Sequence, residues 1–245
     1  MDQSIDTLAE ILADKTVPAQ QRADLALRLL ALGMSAGTDP AADPASAGVL
    51  AVQFVTVRDF LTPEQHQAII DVALSEREHF DKSTVTTNVQ DYRDSLVLHA
   101  TTFPALYEMM SDEIMAALPA VLGSLGYPPF AVTRIEMQMT AHGDGAFFKV
   151  HDDAASPDIA QRALTFVYYF QVREPRGFSG GALRLYQTYP GSTQNWDDSQ
   201  FREIEPLDNA IVFFDSRLMH EVMPVSVPSS EFSDCRFTLN GWLHR

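Results

Sequence analysis

The chain has 245 residues and a mass of 27.2 kDa, enough to bury a hydrophobic core without disulfides. Hydrophobic residues make up 46% and charged residues 20% of the sequence, which excludes a disordered or fibrous protein. The formal net charge of −16 repels phosphate backbones, and no cluster of Lys and Arg offsets it, so nucleic acid is excluded as an expected partner.

The beginning of the chain is predicted to lie outside the main domain. Two short apolar patterns at helical spacing predict a helical appendage over residues 1–34. Residues 35–48 are rich in Ala, Ser, Gly and Pro without a packing pattern, which is typical of a linker. The main domain is therefore predicted over residues 49–245, with a helical front over 49–130 and a β core over 131–245.

The helical front is predicted to contain one strand and two helices. Apolar residues between Val52 and Val57 predict the strand. The sequence TPEQ at residues 62–65 supplies a capping hydroxyl, a first-turn proline and a reciprocal amide, so a helix is predicted to begin there. Apolar residues at helical spacing predict a second, longer helix from about Pro104 to Leu125.

From residue 131 onward the pattern is that of β-strands. Apolar and polar residues alternate over 134–139 and again over 236–241, whereas residues 163–170 and 210–214 form continuous apolar runs typical of buried strands. Many short strands without intervening helices indicate an antiparallel sandwich or barrel. The predicted fold class is therefore α+β with a mainly β core.

Three residues of the β core are of the types that bind non-haem iron(II). His151 and Asp153 are separated by one residue, so on an extended strand their side chains share a face, and His220 follows the buried strand that ends at Phe214. Two imidazoles and one carboxylate on one side of an iron ion leave positions open for substrate and oxygen. Spacing alone does not decide between this site and ordinary surface polarity at a strand end, which is the commoner case.

Five sequence blocks resemble the catalytic core of the prolyl-hydroxylase-type branch of the 2-oxoglutarate- and iron(II)-dependent dioxygenases. In chain order they are GDGAFFKVHDD (143–153), RALTFVYYF (162–170), FSGGALRLY (178–186), IVFFDSRLMHEVMPV (211–225) and RFTLNGW (236–242). The resemblance implies a double-stranded β-helix, or jelly roll, with buttressing N-terminal helices. It also implies that the two histidines and the aspartate above bind the iron.

The resemblance further implies which residues hold the cosubstrate. Arg236 matches the residue that binds the distal carboxylate of 2-oxoglutarate, and a guanidinium suits this task because it pairs with a carboxylate through two hydrogen bonds. The alternative for Arg236 is a structural ion pair. Thr238 shares its strand face, and Tyr169 lies where some relatives place a phenol, so both are candidate cosubstrate contacts. Core packing is the alternative for Tyr169, and Tyr168 is expected to face the opposite way.

The chain also departs from the family pattern. Relatives often carry a tyrosine about ten residues before the first iron ligand, where this chain has His142 nearby, and a solvated loop histidine is the alternative to an active-site role. Arg162 matches an arginine near the active-site mouth, with a surface ion pair as its alternative. His142 and Arg162 are therefore candidate substrate contacts. Gly180 and Gly181 are expected to form a tight turn without chemistry, and His244 is expected to be exposed.

The resemblance implies an enzyme that uses iron(II), O2 and 2-oxoglutarate to hydroxylate an unactivated C–H bond. The implied substrate is a prolyl residue in a protein or peptide, or else an amino-acid-like metabolite. Residues 187–200 are either a recognition loop or an ordinary hairpin. Two alternatives stay open: a non-catalytic metal-binding sensor on the same fold, and a cupin-like metalloenzyme without an oxo acid, in which Arg236 is structural.

Cysteine usage and hydropathy bear on the compartment. The single cysteine, Cys235, leaves no internal disulfide and is typical of a reducing cytosol. The first residues lack the basic and apolar regions of a targeting signal, and no apolar run approaches the roughly 18 residues of a membrane span. A cytoplasmic protein without a membrane partner is expected, and the sequence makes no prediction of the oligomeric state.

Overall fold

The computed structural model describes residues 49–82, 93–190 and 195–245, so the predicted appendage and linker lie outside the described residues. The described part of the chain divides into two compact units: residues 104–131 belong to one, and all other described residues belong to the other. No helix in the described part is both long enough and apolar enough to cross a membrane.

The larger unit is built mainly of β-strands. Its strands, in chain order, are β1 Phe54–Val57, β2 Asp81–Lys82, β3 Leu96–His99, β4 Arg134–His142, β5 Phe148–His151, β6 Arg162–Phe170, β7 Ser179–Gly180, β8 Leu183–Thr188, β9 Trp196–Ile204, β10 Ala210–Asp215, β11 His220–Val222, β12 Val225–Ser226 and β13 Arg236–His244.

The strands form two principal sheets. The larger has the order β1-β10-β6-β13-β4-β3-β2, the smaller has the order β5-β11-β8-β9, and β12 pairs with β7 separately. Every paired strand described here runs antiparallel to its neighbour. The prediction of an antiparallel β core is confirmed, and the core is a double-stranded β-helix.

The central strand β6 is buried on both faces, which explains its mainly apolar sequence. Leu164, Phe166, Tyr168 and Phe170 are at most 1% exposed and share one face of the strand, while Tyr169 and its alternating neighbours share the other. Because both faces are covered, the strand has no solvent side that would select polar residues.

A short helix of the same unit fixes the outer side of β6. Helix α1, Pro63–Ser75, begins at Thr62, whose side chain and that of Gln65 cap each other's backbone N–H groups, as the TPEQ sequence predicts. The helix residue His66 places Nδ1 2.6 Å from the Tyr168 hydroxyl. Tyr168 therefore points away from the cavity between the sheets, as expected.

The smaller unit contains helix α2, Pro104–Leu125, with the bounds predicted from the sequence. Its apolar residues are buried at helical spacing, and Met110 and Ile114 are completely buried. The helix is followed by Gly126 with a φ of +69°, a conformation that glycine adopts at low cost where helices end.

Candidate functional site

A cavity lies between the inner faces of the two principal sheets. Strands β4 and β13 of the larger sheet contribute mostly polar side chains to it, and strands β5 and β11 of the smaller sheet contribute two histidines and apolar neighbours. The predicted iron ligands His151, Asp153 and His220 all line this cavity, and so do the candidate cosubstrate residues Arg236 and Thr238.

The pairing of β5 with β11 brings the two histidines together. His151 and His220 are direct partners in the register of these strands, and their ring centroids are 4.1 Å apart. Asp153 follows β5 and is anchored by its backbone N–H, which donates to the carbonyl of Ser216 at 2.8 Å. Its carboxylate lies 3.3 Å from Nε2 of His220 and 3.9 Å from Nε2 of His151.

Backbone hydrogen bonds fix the tautomer of both imidazoles. Nδ1 of His151 donates to the carbonyl of Lys149 at 2.7 Å, and Nδ1 of His220 donates to the carbonyl of Leu218 at 2.8 Å. Because a carbonyl only accepts, the proton of each neutral ring is on Nδ1 and the lone pair is on Nε2. Phe148 also stacks on the ring of His151, with a centroid distance of 3.6 Å.

A buried hydroxyl orients the carboxylate. Oγ1 of Thr165 donates to Oδ2 of Asp153 at 2.8 Å and lies 3.0 Å from the hydroxyl of Ser216. Burial alone would raise the pKa of Asp153, but its interactions with His220 and His151 lower that pKa well below its ordinary value. Asp153 is therefore a carboxylate at neutral pH.

The electrostatics of the two histidines differ. Burial, together with the charges of His220 and Arg93, lowers the pKa of His151 to about 3. Burial also acts to lower the pKa of His220, but the adjacent Asp153 carboxylate outweighs it and raises that pKa. His151 thus presents a neutral imidazole, the form that binds metals.

These three residues fit an iron(II) ion. One ligand atom from each of His151, Asp153 and His220 lies within 4.8 Å of the others, and each histidine keeps Nε2 as the available donor atom. Two imidazole nitrogens and one carboxylate oxygen are the donor set of mononuclear non-haem iron(II). The three ligands lie on the cavity wall, so the cavity side of the ion would stay open for other ligands.

Arg236 is a buried cation, and no described residue provides an anionic partner for it. Its side chain is 1% exposed, and no carboxylate of the described residues lies within ion-pair distance of it. Nε donates to the carbonyl of Gly181 at 2.6 Å, and the guanidinium carbon lies 5.2 Å from the centre of the Tyr169 ring. Burying an unpaired charge is costly, so this part of the cavity is suited to an anionic ligand.

Tyr169 and Thr238 lie beside this cation as direct partners in the register of β6 and β13. The hydroxyl of Tyr169 is buried close to the Arg236 side chain without a hydrogen bond of regular geometry among the described residues, and burial raises the pKa of Tyr169 to about 12. Oγ1 of Thr238 makes one long contact, 3.4 Å to Oδ1 of Asn240. Both hydroxyls therefore keep hydrogen-bonding capacity for a ligand held by Arg236.

The expectation that the glycine pair has no part in the site needs correction. Gly180 and Gly181 do adopt φ angles of +69° and +71°, as a tight turn requires. However, the carbonyl of Gly181 accepts the hydrogen bond of Arg236, and a Cβ at this position would lie 2.4 Å from Cδ of Arg236. The glycine gives the guanidinium the space it occupies.

The structure places Arg162 in a largely buried ion pair and outside the lining of the cavity. It pairs with Glu136, its Nη1 lies 3.4 Å from the carbonyl of Asp153, and its guanidinium stacks 3.6 Å from the centre of the Trp242 ring. Its side chain is 13% exposed. Arg162 therefore contacts the backbone of the candidate iron ligand Asp153.

The expectation that His244 is exposed is wrong. This residue is 7% exposed, and its Nε2 lies 3.1 Å from the Glu136 carboxylate. It is the last residue of β13 and pairs with Arg134 of β4, so it is held inside a sheet.

His142 is not a solvated loop residue, so that alternative is also wrong. It is the last residue of β4, is 3% exposed and lines the cavity. Residues 187–200, for which the sequence left a recognition loop and an ordinary hairpin open, include the end of β8 and the start of β9, and residues 191–194 lie outside the described residues.

Arg93 and Thr165 are among the cavity residues that the sequence analysis missed. Arg93 lies over the Phe148 ring at 4.8 Å, and its Nε donates to the hydroxyl of Ser95. Thr165 orients Asp153 as described above. Thr165 alternates with Leu164 and Phe166 along β6, and one polar residue inside an apolar run was the available indication; nothing in the sequence distinguished Arg93.

Comparisons with known proteins agree with this geometry. Residues 137–244 match the family described as the 2OG-Fe(II) oxygenase superfamily. An uncharacterized PKHD-type hydroxylase of Synechocystis sp. is 44% identical over 189 residues, covering 77% of this chain and 62% of that protein. The chain therefore spans less than two thirds of the length of this curated relative.

Solved structures share the fold. A prolyl hydroxylase from Trichoplax adhaerens, in complex with a hypoxia inducible factor oxygen degradation domain peptide fragment, aligns over 92% of this chain and 91% of its own, with a TM-score of 0.58 and 16% identity. A Pseudomonas putida prolyl-4-hydroxylase aligns over 78% of this chain and 92% of its own, with a TM-score of 0.54 and 19% identity.

The sequence match and the His-Asp-His cluster support the use of iron(II) with 2-oxoglutarate and O2. Residues 137–244 thus match the 2OG-Fe(II) oxygenase superfamily, and the fold of the chain is that of prolyl hydroxylases of known structure.

Proposed function

We propose that the protein is an iron(II)- and 2-oxoglutarate-dependent dioxygenase that hydroxylates an unactivated C–H bond. The observation that carries the proposal is that one cavity contains both a His-Asp-His cluster and a buried guanidinium that pairs with no carboxylate in the described part of the chain. The cluster fits iron(II), and the cation fits the distal carboxylate of an oxo acid.

His151, Asp153 and His220 are proposed to bind the iron. The bound iron supplies the reaction with O2, in which 2-oxoglutarate is oxidised to succinate and carbon dioxide and one oxygen atom enters the substrate. The protein holds the ligands in place: two carbonyls fix the imidazoles, and Thr165 fixes the carboxylate. Because Asp153 occupies the third ligand position, a halide has no vacated protein ligand site.

Arg236 is proposed to bind the distal carboxylate, with Tyr169 and Thr238 donating their hydroxyls to the same ligand. Each of the three is at most 3% exposed, so the carboxylate would be held away from water, where hydrogen bonds to charge are strongest. This arrangement disfavours the cupin-like alternative, in which an unpaired buried arginine would have no purpose.

The proposed substrate is a prolyl residue in a protein or peptide, with an amino-acid-like metabolite as the second candidate. Prolyl hydroxylases share the fold, and one of them is solved with a peptide. Of the two substrate contacts predicted from the sequence, Arg162 is better proposed as a residue that positions Asp153. Arg93 takes its place as the candidate substrate contact because its guanidinium lines the cavity without a carboxylate partner among the described residues.

Mass spectrometry under 18O2 tests the proposal. The enzyme is incubated with iron(II), 2-oxoglutarate and candidate proline-containing peptides, proteins and free amino acids, and His151→Ala serves as the matched control. One 18O atom in a product, formed only by the wild type, is the expected result. Metal and cosubstrate binding without any turnover would favour the sensor alternative, and iron-dependent turnover without 2-oxoglutarate would favour the cupin-like alternative.

A further inference from the structure

His142 is a buried imidazole whose two ring nitrogens both lack a hydrogen-bond partner among the described residues. It is 3% exposed and lines the same cavity as the iron ligands. Leaving a buried polar group unpaired is destabilising, so an unpaired imidazole on a cavity wall is suited to binding a ligand.

The sheet register places His142 next to the unpaired cation. His142 of β4 and Arg236 of β13 are direct cross-strand partners, and the next pair on the same face is Thr140 with Thr238. Side chains directly opposite each other in an antiparallel pair are neighbours on one face of the sheet. The imidazole and the guanidinium therefore flank the same part of the cavity.

The surrounding charge defines what this imidazole can bind. Burial and the positive charges of Arg236 and Arg93 lower the pKa of His142 well below its ordinary value. The ring is therefore neutral and offers one N–H donor. A donor beside an unpaired guanidinium is matched by a ligand that brings anionic oxygens, such as a carboxylate.

We propose that His142 donates its ring N–H to the carboxylate that Arg236 binds, as a second buried contact to the distal end of 2-oxoglutarate. This assignment rests on the proposed function and differs from the role in substrate binding expected from the sequence. It makes His142 a specificity residue that selects oxo acids with a second carboxylate.

Calorimetric titration of 2-oxoglutarate into the Mn(II)-loaded protein tests this without turnover. His142→Phe keeps the ring shape but removes the donor, and we expect the Kd for 2-oxoglutarate to rise about 10–100-fold, the value of one hydrogen bond to a charged group. The Kd for Mn(II) is expected to stay within about twofold of wild type. His142→Gln restores an N–H donor and is expected to recover most of the affinity.

A second ligand separates this contact from general damage to the cavity. 2-Oxobutyrate lacks the distal carboxylate, so its Kd is expected to be the same within about twofold for the wild type and His142→Phe. Equal losses for both ligands, or an unchanged Kd for 2-oxoglutarate, would overturn the assignment. Failure of the wild type to bind 2-oxoglutarate would instead overturn the proposed function.

Nitrogen-15 NMR of the wild-type protein loaded with Zn(II) gives a test that needs no folded His142→Phe variant. The ring N–H resonance of His142, assigned by its absence in His142→Gln, is expected to shift downfield and exchange more slowly with water when 2-oxoglutarate is added. 2-Oxobutyrate is expected to leave it unchanged. The same response to both ligands, or to neither, would contradict the proposal.

Discussion

At the scale of single residues, the hydroxyl of Thr165 is the contact that holds the Asp153 carboxylate toward the two histidines. Such outer contacts orient metal ligands, and their loss typically costs 10–100-fold in metal affinity. Thr165→Val keeps the shape and removes the donor. We expect its Kd for Mn(II), measured by calorimetry, to rise about 10–100-fold while the fold is retained.

Thr56→Val is the matched control for Thr165→Val, because Thr56 is an exposed residue of β1 in the same sheet. Its Kd for Mn(II) is expected to equal that of the wild type. Equal metal affinity in Thr165→Val would show that the Thr165 hydroxyl does not support the ligand.

A second prediction for a single residue is that Arg93 contacts the substrate. Its guanidinium lies over Phe148 at the cavity wall, so Arg93→Gln removes a charge from the proposed substrate side and leaves Arg236 in place. We expect hydroxylation of the substrate found by mass spectrometry to fall at least about tenfold, as the loss of a hydrogen bond to a charged group predicts. Decarboxylation of 2-oxoglutarate without substrate is expected to stay within about twofold.

Arg184→Gln is the control for Arg93→Gln, because Arg184 pairs with Glu203 of β9 and does not line the cavity. Both rates are expected to match the wild type in this control. Equal losses of coupled and uncoupled turnover in Arg93→Gln would place Arg93 with the metal or cosubstrate and not with the substrate.

At the scale of elements, the turn between β7 and β8 supports the cosubstrate side of the cavity. Gly181→Ala introduces a Cβ 2.4 Å from Cδ of Arg236, at a φ of +71°. Gly145→Ala has nearly the same backbone strain, with a φ of +75°, but its Cβ meets nothing within 4 Å. Comparing the two variants therefore separates the effect of the steric clash with Arg236 from the effect of the left-handed backbone conformation.

We expect both glycine variants to lose about 1–2 kcal/mol of unfolding free energy from the left-handed backbone alone. Only Gly181→Ala is expected to raise the Kd for 2-oxoglutarate, by at least about tenfold, because its side chain displaces the guanidinium. Denaturant unfolding and calorimetry provide the two measurements. Equal cosubstrate affinity in both variants would mean that Gly181 does not set the position of Arg236.

Helix boundaries were easier to predict from the sequence than contacts between strands. A helix cap joins residues that are close in the sequence, whereas paired strands join residues that are far apart in it. Helix α1 was predictable because its cap is a contact between Thr62 and Gln65, three residues apart. The cross-strand pairs that build the site, such as His151 with His220, join distant parts of the chain and were inferred only through the family resemblance. The burial of His244 was mispredicted for the same reason, since its partner lies on β4.

At the scale of the whole molecule, ligands that bind the His-Asp-His cluster and the Arg236 guanidinium are expected to stabilise the folded state. A ligand present at 100 times its Kd stabilises the folded state by about 2.7 kcal/mol. Saturating Mn(II) and 2-oxoglutarate are therefore expected to raise the Tm of the wild type by roughly 5–10 °C, and a chelator is expected to reverse the gain. Differential scanning calorimetry measures both.

Arg236→Leu separates the two contributions to this stabilisation. The variant is expected to keep the rise in Tm due to Mn(II) and to lose the part due to 2-oxoglutarate, because the metal ligands do not include the guanidinium. An equal response to 2-oxoglutarate in the wild type and Arg236→Leu would contradict the assignment of Arg236 to the cosubstrate.

Release of succinate from 2-oxoglutarate tests the central claim most directly, because it requires the metal cluster and the guanidinium to act on one ligand. The wild type is expected to release succinate only with iron(II) and O2. His151→Ala and Arg236→Leu are expected to reduce the rate at least about 100-fold at a fixed, subsaturating 2-oxoglutarate concentration. Succinate release that persists in His151→Ala, or that does not depend on iron(II), would contradict the account.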